Sequence, residues 1–202
     1  MSSEWEGDWA KLPGRLVVIS GASGAGKSTL VERLLGRPEL RLQVSVSATT
    51  RVPRPDEVPD RDYFFLSPEE FQRIRGDLLE SALVHGHSYG TPAEPVRRAM
   101  ASGICVALVI DVQGGLQVRK KVPGALLIFV HVPSLEVLEN RLRARGTDDP
   151  ESIARRLANA RREIEMSAHY DISVVNDDLD RAVEELVSIL VANGCGARVT
   201  HD

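Results

Sequence analysis

The chain has 202 residues, a formal net charge of −4, 43% hydrophobic and 27% charged residues, the composition of one ordinary globular domain. At this length folding buries roughly 70% of the unfolded surface, so a core needs neither disulfide nor structural metal, and the two cysteines, Cys105 and Cys195, form no CxxC or Cys/His cluster. The longest apolar runs, Ile104 to Ile110 and Ala125 to Val130, fall far short of the ~18 residues of a membrane span. The acidic start MSSEWEGDWAKLPG lacks an export pattern, so a cytoplasmic location is expected, with neither membrane nor nucleic acid as partner.

In chain order, residues 1–13 read as a flexible N-terminal extension. Leu16 to Ile19 is short and β-branched between glycines, a buried-strand pattern, and Lys27 to Leu35 carries Leu30, Val31, Leu34 and Leu35 at helical spacing. Leu42 to Val46, Ile104 to Ile110, Ala125 to Val132 and Ile172 to Val175 are further strand candidates, the last three alternating with helices. That alternation predicts an α/β fold with a parallel core sheet covered on both faces. The stretch from Ala48 to Gly90 breaks the rhythm. It begins rich in Pro, Arg and Asp, then has strand-like Tyr63 to Leu66 and Leu78 to Val84 around a short helix, which predicts an inserted mixed lobe. Helix starts are marked at Ser67-Pro68-Glu69-Glu70, Thr91-Pro92-Ala93-Glu94 and Asp149-Pro150. Gly194 closes a last helix from about Asp178 to Asn193.

Gly21, Ala22, Ser23, Gly24, Ala25, Gly26, Lys27, Ser28 and Thr29 spell GASGAGKST, a match to GxxxxGK[ST]. A strand precedes it and a helix follows, as required of a loop that wraps its N–H groups around phosphates at a helix N-terminus. Lys27 supplies a compact positive charge to the β and γ phosphates, and the Ser28 hydroxyl is placed to ligate Mg²⁺. Nucleoside triphosphate binding is the expectation.

In the run SVSATTRVPRPDEVPDRDYFF, Arg51 and Arg54 lie three apart in a proline-bearing loop, followed by Tyr63. Guanidinium forks plus a phenol suit a phosphate monoester. LLESALVHGHSYGTP then brings Glu80, Tyr89 and Thr91. Thr91 reads equally well as the N-cap of the helix that follows.

With GASGAGKST, SVSATTRVPR, DYFF, HSYGTP, IDVQG, RLRARGT, IARRL and VVNDDLDRA in this order between about residues 16 and 190, the chain resembles guanylate kinases. The resemblance implies a P-loop NTPase three-layer fold with an inserted mixed lobe for the nucleoside monophosphate and a small helical lid. It divides residues 14–195 into a core (14–47, 92–140 and 165–195), a GMP-binding lobe (48–91) and a lid (141–164), with 196–202 as a tail. It implies transfer of the γ-phosphoryl of ATP to GMP, and to dGMP. Ser47, Glu80 and Thr91 would face guanine, and Arg51, Arg54, Tyr63 and Tyr89 would hold the GMP phosphate. Arg141, Arg145 and Arg156 would close over the transferring group, Asn176 would lie on the adenine side, and Asp111 would serve the guanine or acceptor site. Oligomeric state stays open.

The chemistry agrees with those residues. Guanine offers an acceptor at O6 and donors at N1 and N2, which a hydroxyl and a carboxylate complement and which adenine would mismatch. No catalytic base is needed, because a phosphate monoester is largely dianionic at pH 7. Catalysis then rests on positioning and on charge neutralisation by Lys27, Mg²⁺ and arginines. One departure stands out. Many relatives carry Asp-x-Asp where this chain has Val109-Ile110-Asp111, which bears on catalytic efficiency more than on binding. Two other readings stay open: a guanylate-kinase-like binding module without efficient catalysis, and ribose 1,5-bisphosphate phosphokinase.

Overall fold

The computed structural model describes residues 8–84, 86–144 and 149–197. Arg145 lies outside them. Five strands form a wholly parallel sheet: β1 (Leu16–Ser20), β2 (Leu42–Val44), β7 (Cys105–Val109), β8 (Leu126–His131) and β9 (Ile172–Val175), in the order β2-β7-β1-β8-β9. Alternate residues of β1 serve opposite faces. Val17 and Ile19 join one apolar cluster with Leu30, Leu138 and Leu186, whereas Leu16 and Val18 join the other with Val96, Met100 and Val118. Burial on both sides is why β1 and β8 read as unbroken apolar runs.

The helices are α1 (Lys27–Leu35), α2 (Pro68–Ile74), α3 (Ala93–Ala101), α4 (Val112–Lys121), α5 (Leu135–Ala144), α6 (Pro150–Glu165) and α7 (Leu179–Leu190). Local chemistry sets most of their starts. Ser67 and Glu70 form a reciprocal capping box on α2, and Asp149 caps α6 with Pro150 in its first turn. None of these helices is long and apolar enough to cross a membrane.

A second, mixed sheet has the order β4-β3-β6-β5, from β3 (Ser47–Thr49), β4 (Tyr63–Phe65), β5 (Leu78–Val84) and β6 (His87–Pro92). Strands β3 and β6 carry no apolar alternation, being Ser-Ala-Thr and His-Ser-Tyr-Gly-Thr-Pro, so periodicity gives no sign of them. Ser47, assigned by sequence to the core, is the first residue of this sheet.

The N-terminal extension corrects the expectation of flexibility for residues 8–13. Asp8 caps a short 3-10 turn, Trp9–Lys11, and Trp9 is 8% exposed against Leu16, Val18, Met100 and Val122. An indole removes too much apolar surface from water to be left loose beside an apolar cluster. At the other end the Ala197 N–H donates to the Glu39 carbonyl at 2.7 Å, which ties the start of the expected tail to the core.

Candidate active site

The loop Gly21 to Gly26 runs from the end of β1 into α1. Gly26 has φ +88°, and a Cβ there would stand 2.4 Å from Asn176 Nδ2, so only glycine fits the turn. Lys27 Nζ donates to the carbonyls of Gly21 at 2.5 Å and Ala22 at 3.1 Å. Its charge is thereby curled over the loop. Ser23, Ser28 and Thr29 are exposed at the helix entrance, where the first N–H groups of α1 lack helical partners.

Asn176 does not cap α7; Asp178 does, accepting from the Arg181 N–H. The buried Asn176 amide instead donates to the Ala25 carbonyl at 2.8 Å. The Asn176 main-chain carbonyl accepts from Arg141 at 2.8 Å. Asn176 and Arg141 therefore stand at the base of the glycine loop, joining it to the corner between β9 and α7.

Between the two sheets, a cavity of about 180 Å³ is lined by Ser47, Tyr63, Glu80, Ala82, Val84, Tyr89, Val109, Ile110 and Asp111. Glu80 is 4% exposed. Thr91 Oγ1 donates to Glu80 Oε1 at 2.7 Å and lies 3.3 Å from Ser47 Oγ. The second reading of Thr91, as a helix cap, is thus wrong: α3 begins after Pro92 with no side-chain cap, because this hydroxyl is committed to the carboxylate. Burial pushes the Glu80 carboxyl up to about 7; the Thr91 hydrogen bond opposes the shift, the Asp111 charge adds to it, and Lys121 opposes it.

Arg51 contacts the lining residues Tyr89 and Tyr63 of this cavity and has three hydrogen-bond partners. Its Nε donates to the Tyr89 hydroxyl at 3.2 Å, one terminal nitrogen to the Val52 carbonyl at 2.8 Å and the other to Glu57 at 2.7 Å. The guanidinium also sits 5.6 Å from the centre of the Tyr63 ring. Arg51, Tyr63 and Tyr89 are therefore together, as the sequence suggests. Arg54 borders them through its backbone N–H, which donates to Glu57 at 2.8 Å. The Arg51 hydrogen bond, followed by that of Arg54, holds the Glu57 carboxyl below the usual range.

A larger cleft of about 760 Å³ joins this pocket to the glycine loop. Gly21, Ser23 and Lys27 line one side, Tyr63, Val84, Val109, Ile110 and Asp111 another, and Ser152, Arg155, Arg156, Asn159 and Glu163 of α6 the third. Asp111 also caps α4, accepting from the Gly114 N–H at 2.7 Å, and its carbonyl accepts from Ser20 Oγ. Burial raises the Glu163 carboxyl, and the charge of Lys27 works against that rise.

Sequence reasoning missed Glu57, Arg155, Asn159 and Glu163. Residues 152, 156, 159 and 163 repeat at helical spacing, a polar stripe that periodicity could have flagged. Nothing in the pattern marks Glu57.

A phosphate loop at the carboxyl end of a parallel sheet, facing a second pocket across a cleft, defines a P-loop phosphotransferase. The family model for guanylate kinase matches residues 13–193. The chain is 53% identical to the guanylate kinase of Gloeobacter violaceus over 178 residues, 87% of this chain and 86% of that one. It is 51% identical to that of Rubrobacter xylanophilus over 179 residues, 88% and 93% of the two chains. The crystal structure of guanylate kinase from Anaplasma phagocytophilum superposes with a TM-score of 0.72 at 31% identity, covering 91% of this chain and 87% of that one. The chain belongs to the guanylate kinase family, and its activity is ATP:GMP phosphotransfer.

Proposed function

We propose that GMP enters the small pocket with its base against Ser47, Thr91 and Glu80 and its phosphate toward Arg51, Arg54, Tyr63 and Tyr89, while ATP lays its phosphates on residues 21–29. The observation that carries this reading is the continuous cleft from Lys27 to Glu80. A carboxylate accepts from the N1 and N2 donors of guanine, and the Ser47 hydroxyl donates to O6. Ribose carries none of these groups, so the phosphokinase reading leaves Glu80 buried without a use. Since the base is read on its edge, dGMP is accepted as well.

Transfer needs the GMP phosphate in line with the γ-phosphoryl group and the developing charge neutralised. Lys27 and Arg156 line the cleft where that charge develops, and Arg141 holds the corner behind the loop. We assign Arg145 to the same closing lid on sequence grounds. The dianionic GMP phosphate attacks directly, with no base. Val109 and Ile110 form an apolar wall that limits water in the cleft.

Mg²⁺ fits this site. The carboxyl groups of Asp111 and Glu163 line the cleft, the exposed Ser28 hydroxyl follows the cleft-lining Lys27 in the first turn of α1, and among the described residues no cluster of three or more His, Cys, Asp or Glu forms a cage of its own. That is the donor set of an ion held by one or two protein oxygens plus substrate phosphates. Ser28 is the residue assigned to it. When bound, the ion supplies charge neutralisation on the phosphates. In lobe terms, residues 47–91 carry the acceptor site, 141–164 the lid, and residues 14–46, 92–140 and 165–195 the core. No membrane or nucleic-acid partner is assigned, and the reaction is placed in the cytoplasm.

The test is ADP formation with ATP, Mg²⁺ and each nucleoside monophosphate in turn, with dGMP and a no-acceptor control, on wild type and Glu80→Ala. GMP-dependent turnover that needs the divalent ion and is lost in the variant supports the reading. Equal turnover with AMP, or full activity of Glu80→Ala, refutes it.

A further inference from the structure

Glu80 sits in an irregular stretch of β5, and the main-chain groups on either side of it are held by helix α4 rather than by a neighbouring strand. β5 is an edge strand of the mixed sheet. In a regular strand, successive residues direct their main-chain groups to alternate edges, so Leu78 and Ser81, three apart, would face opposite sides. The pairing with β6 shifts register between those two residues, an irregularity of the kind that re-aims side chains beside active sites. As a result both residues present main-chain groups to α4.

Two α4 side chains meet them. Lys121 Nζ donates to the Leu78 carbonyl at 2.6 Å. Gln117 Nε2 donates to the Ser81 carbonyl at 3.0 Å, and Gln117 Oε1 accepts from the Ser81 N–H at 3.1 Å. The Gln117 amide thus takes the place of one residue of an absent neighbour strand. Earlier on the same helix, Gly114 lets the carboxylate come close: a Cβ there would lie 2.9 Å from Glu80 Oε2. From the β6 side, a Cβ on Gly90 would lie 2.8 Å from the Glu80 carbonyl oxygen. Residues 114, 117 and 121 are spaced three and four apart, on one helix face, and together they bracket Glu80.

We propose that Gln117 and Lys121 are positioning residues for base recognition, which fix the aim of the Glu80 carboxylate by gripping the strand on either side of it. The inference rests on the reading of Glu80 as the base-reading carboxylate. Without the grip, β5 is free to slide into regular pairing, and a one-residue slip turns a side chain to the opposite face. The grip also couples α4, a core helix, to the acceptor lobe, so the carboxylate is referenced to the sheet that carries the phosphate loop.

The experiment compares kcat/KM for GMP and for IMP, which lacks the exocyclic amine that the second carboxylate oxygen accepts from. The enzymes are wild type, Gln117→Met, Lys121→Met, Lys121→Arg and Glu80→Gln. The GMP-to-IMP ratio falls on the order of tenfold in Gln117→Met and in Lys121→Met, while Lys121→Arg keeps it, since the donor is retained. The ratio does not depend on how much enzyme is folded, so a merely structural role leaves it unmoved. Faster amide exchange at Ser81 in Gln117→Met gives a second readout, and Lys121→Met decides the matter should Gln117→Met fail to fold. A ratio unchanged in both methionine variants, with collapse in Glu80→Gln, overturns the positioning role alone. A ratio unchanged in Glu80→Gln removes the base-reading assignment and this inference with it.

Discussion

The Thr91 hydroxyl donates a 2.7 Å hydrogen bond to Glu80 Oε1, and both residues are buried. One neutral hydrogen bond does not offset the desolvation of a carboxylate, which is why the Glu80 carboxyl is pushed up to about 7 from 4.5.

The first prediction concerns pH. Only ionised Glu80 accepts from both guanine donors, so the KM for GMP rises about tenfold between pH 8 and pH 6. The GMP phosphate also titrates near pH 6, and Glu80→Gln isolates that part. For stability the sign is the reverse. A folded pKa raised above the unfolded one contributes stability that is complete below about 4.5 and is lost as pH rises through about 7. Glu80→Gln is therefore more stable than wild type above pH 7, by roughly 1–3 kcal/mol, as read by urea denaturation without ligand.

Arg51 serves Tyr89, Val52 and Glu57 at once, a geometry that needs a planar fork. Arg51→Lys keeps the charge and loses the fork. The KM for GMP increases roughly 10- to 100-fold with a smaller change in kcat. Steady-state kinetics with GMP varied at saturating ATP checks this; an unchanged KM would remove Arg51 from the acceptor site.

Gly26→Ala places a methyl group against the Asn176 amide at a φ of +88°. The hydrogen bond from Asn176 to Ala25 breaks, and the loop shifts. Stability drops by about 1–3 kcal/mol, and affinity for a non-hydrolysable ATP analogue falls at least tenfold while GMP binding persists. Calorimetric titration of each nucleotide separates the two effects.

Trp9→Ala tests the packed N-terminal segment. Removing a buried indole costs about 3 kcal/mol, yet Trp9 lies at the apolar cluster of Leu16 and Met100, away from the cleft. The midpoint of denaturation moves down and kcat stays within about twofold; an unchanged midpoint would mean that the segment does not pack in solution.

Much of the fold is legible in residue order. Apolar runs mark β1, β7 and β8 because those strands are covered on both faces, the edge strand β9 is read from Ile172, Val174 and Val175 although only Val174 is buried, and Ser67 and Asp149 mark helix starts through their own backbone contacts. The phosphate loop is equally local, since its glycines and Lys27 act within a few residues of one another. Strands β3 and β6 are hidden because they are mostly polar and small residues with no apolar alternation, buried by the sheet and its neighbours rather than by their own pattern. Thr91 shows the limit of local reading: its cap signal is sound as a pattern, and a carboxylate from another strand outcompetes the helix for its hydroxyl.

By itself the sequence determined the phosphate loop, the alternation that builds a parallel sheet, and the family to which the chain belongs. Only the tertiary structure decided that Glu57 holds Arg51, that Asn176 braces the loop rather than a helix, and that Gln117 and Lys121 grip the strand around Glu80. The physical reason is range. Periodicity and capping record what a residue does within a turn or two of its own element, whereas these contacts join elements whose relative placement depends on how the sheets and helices pack at once.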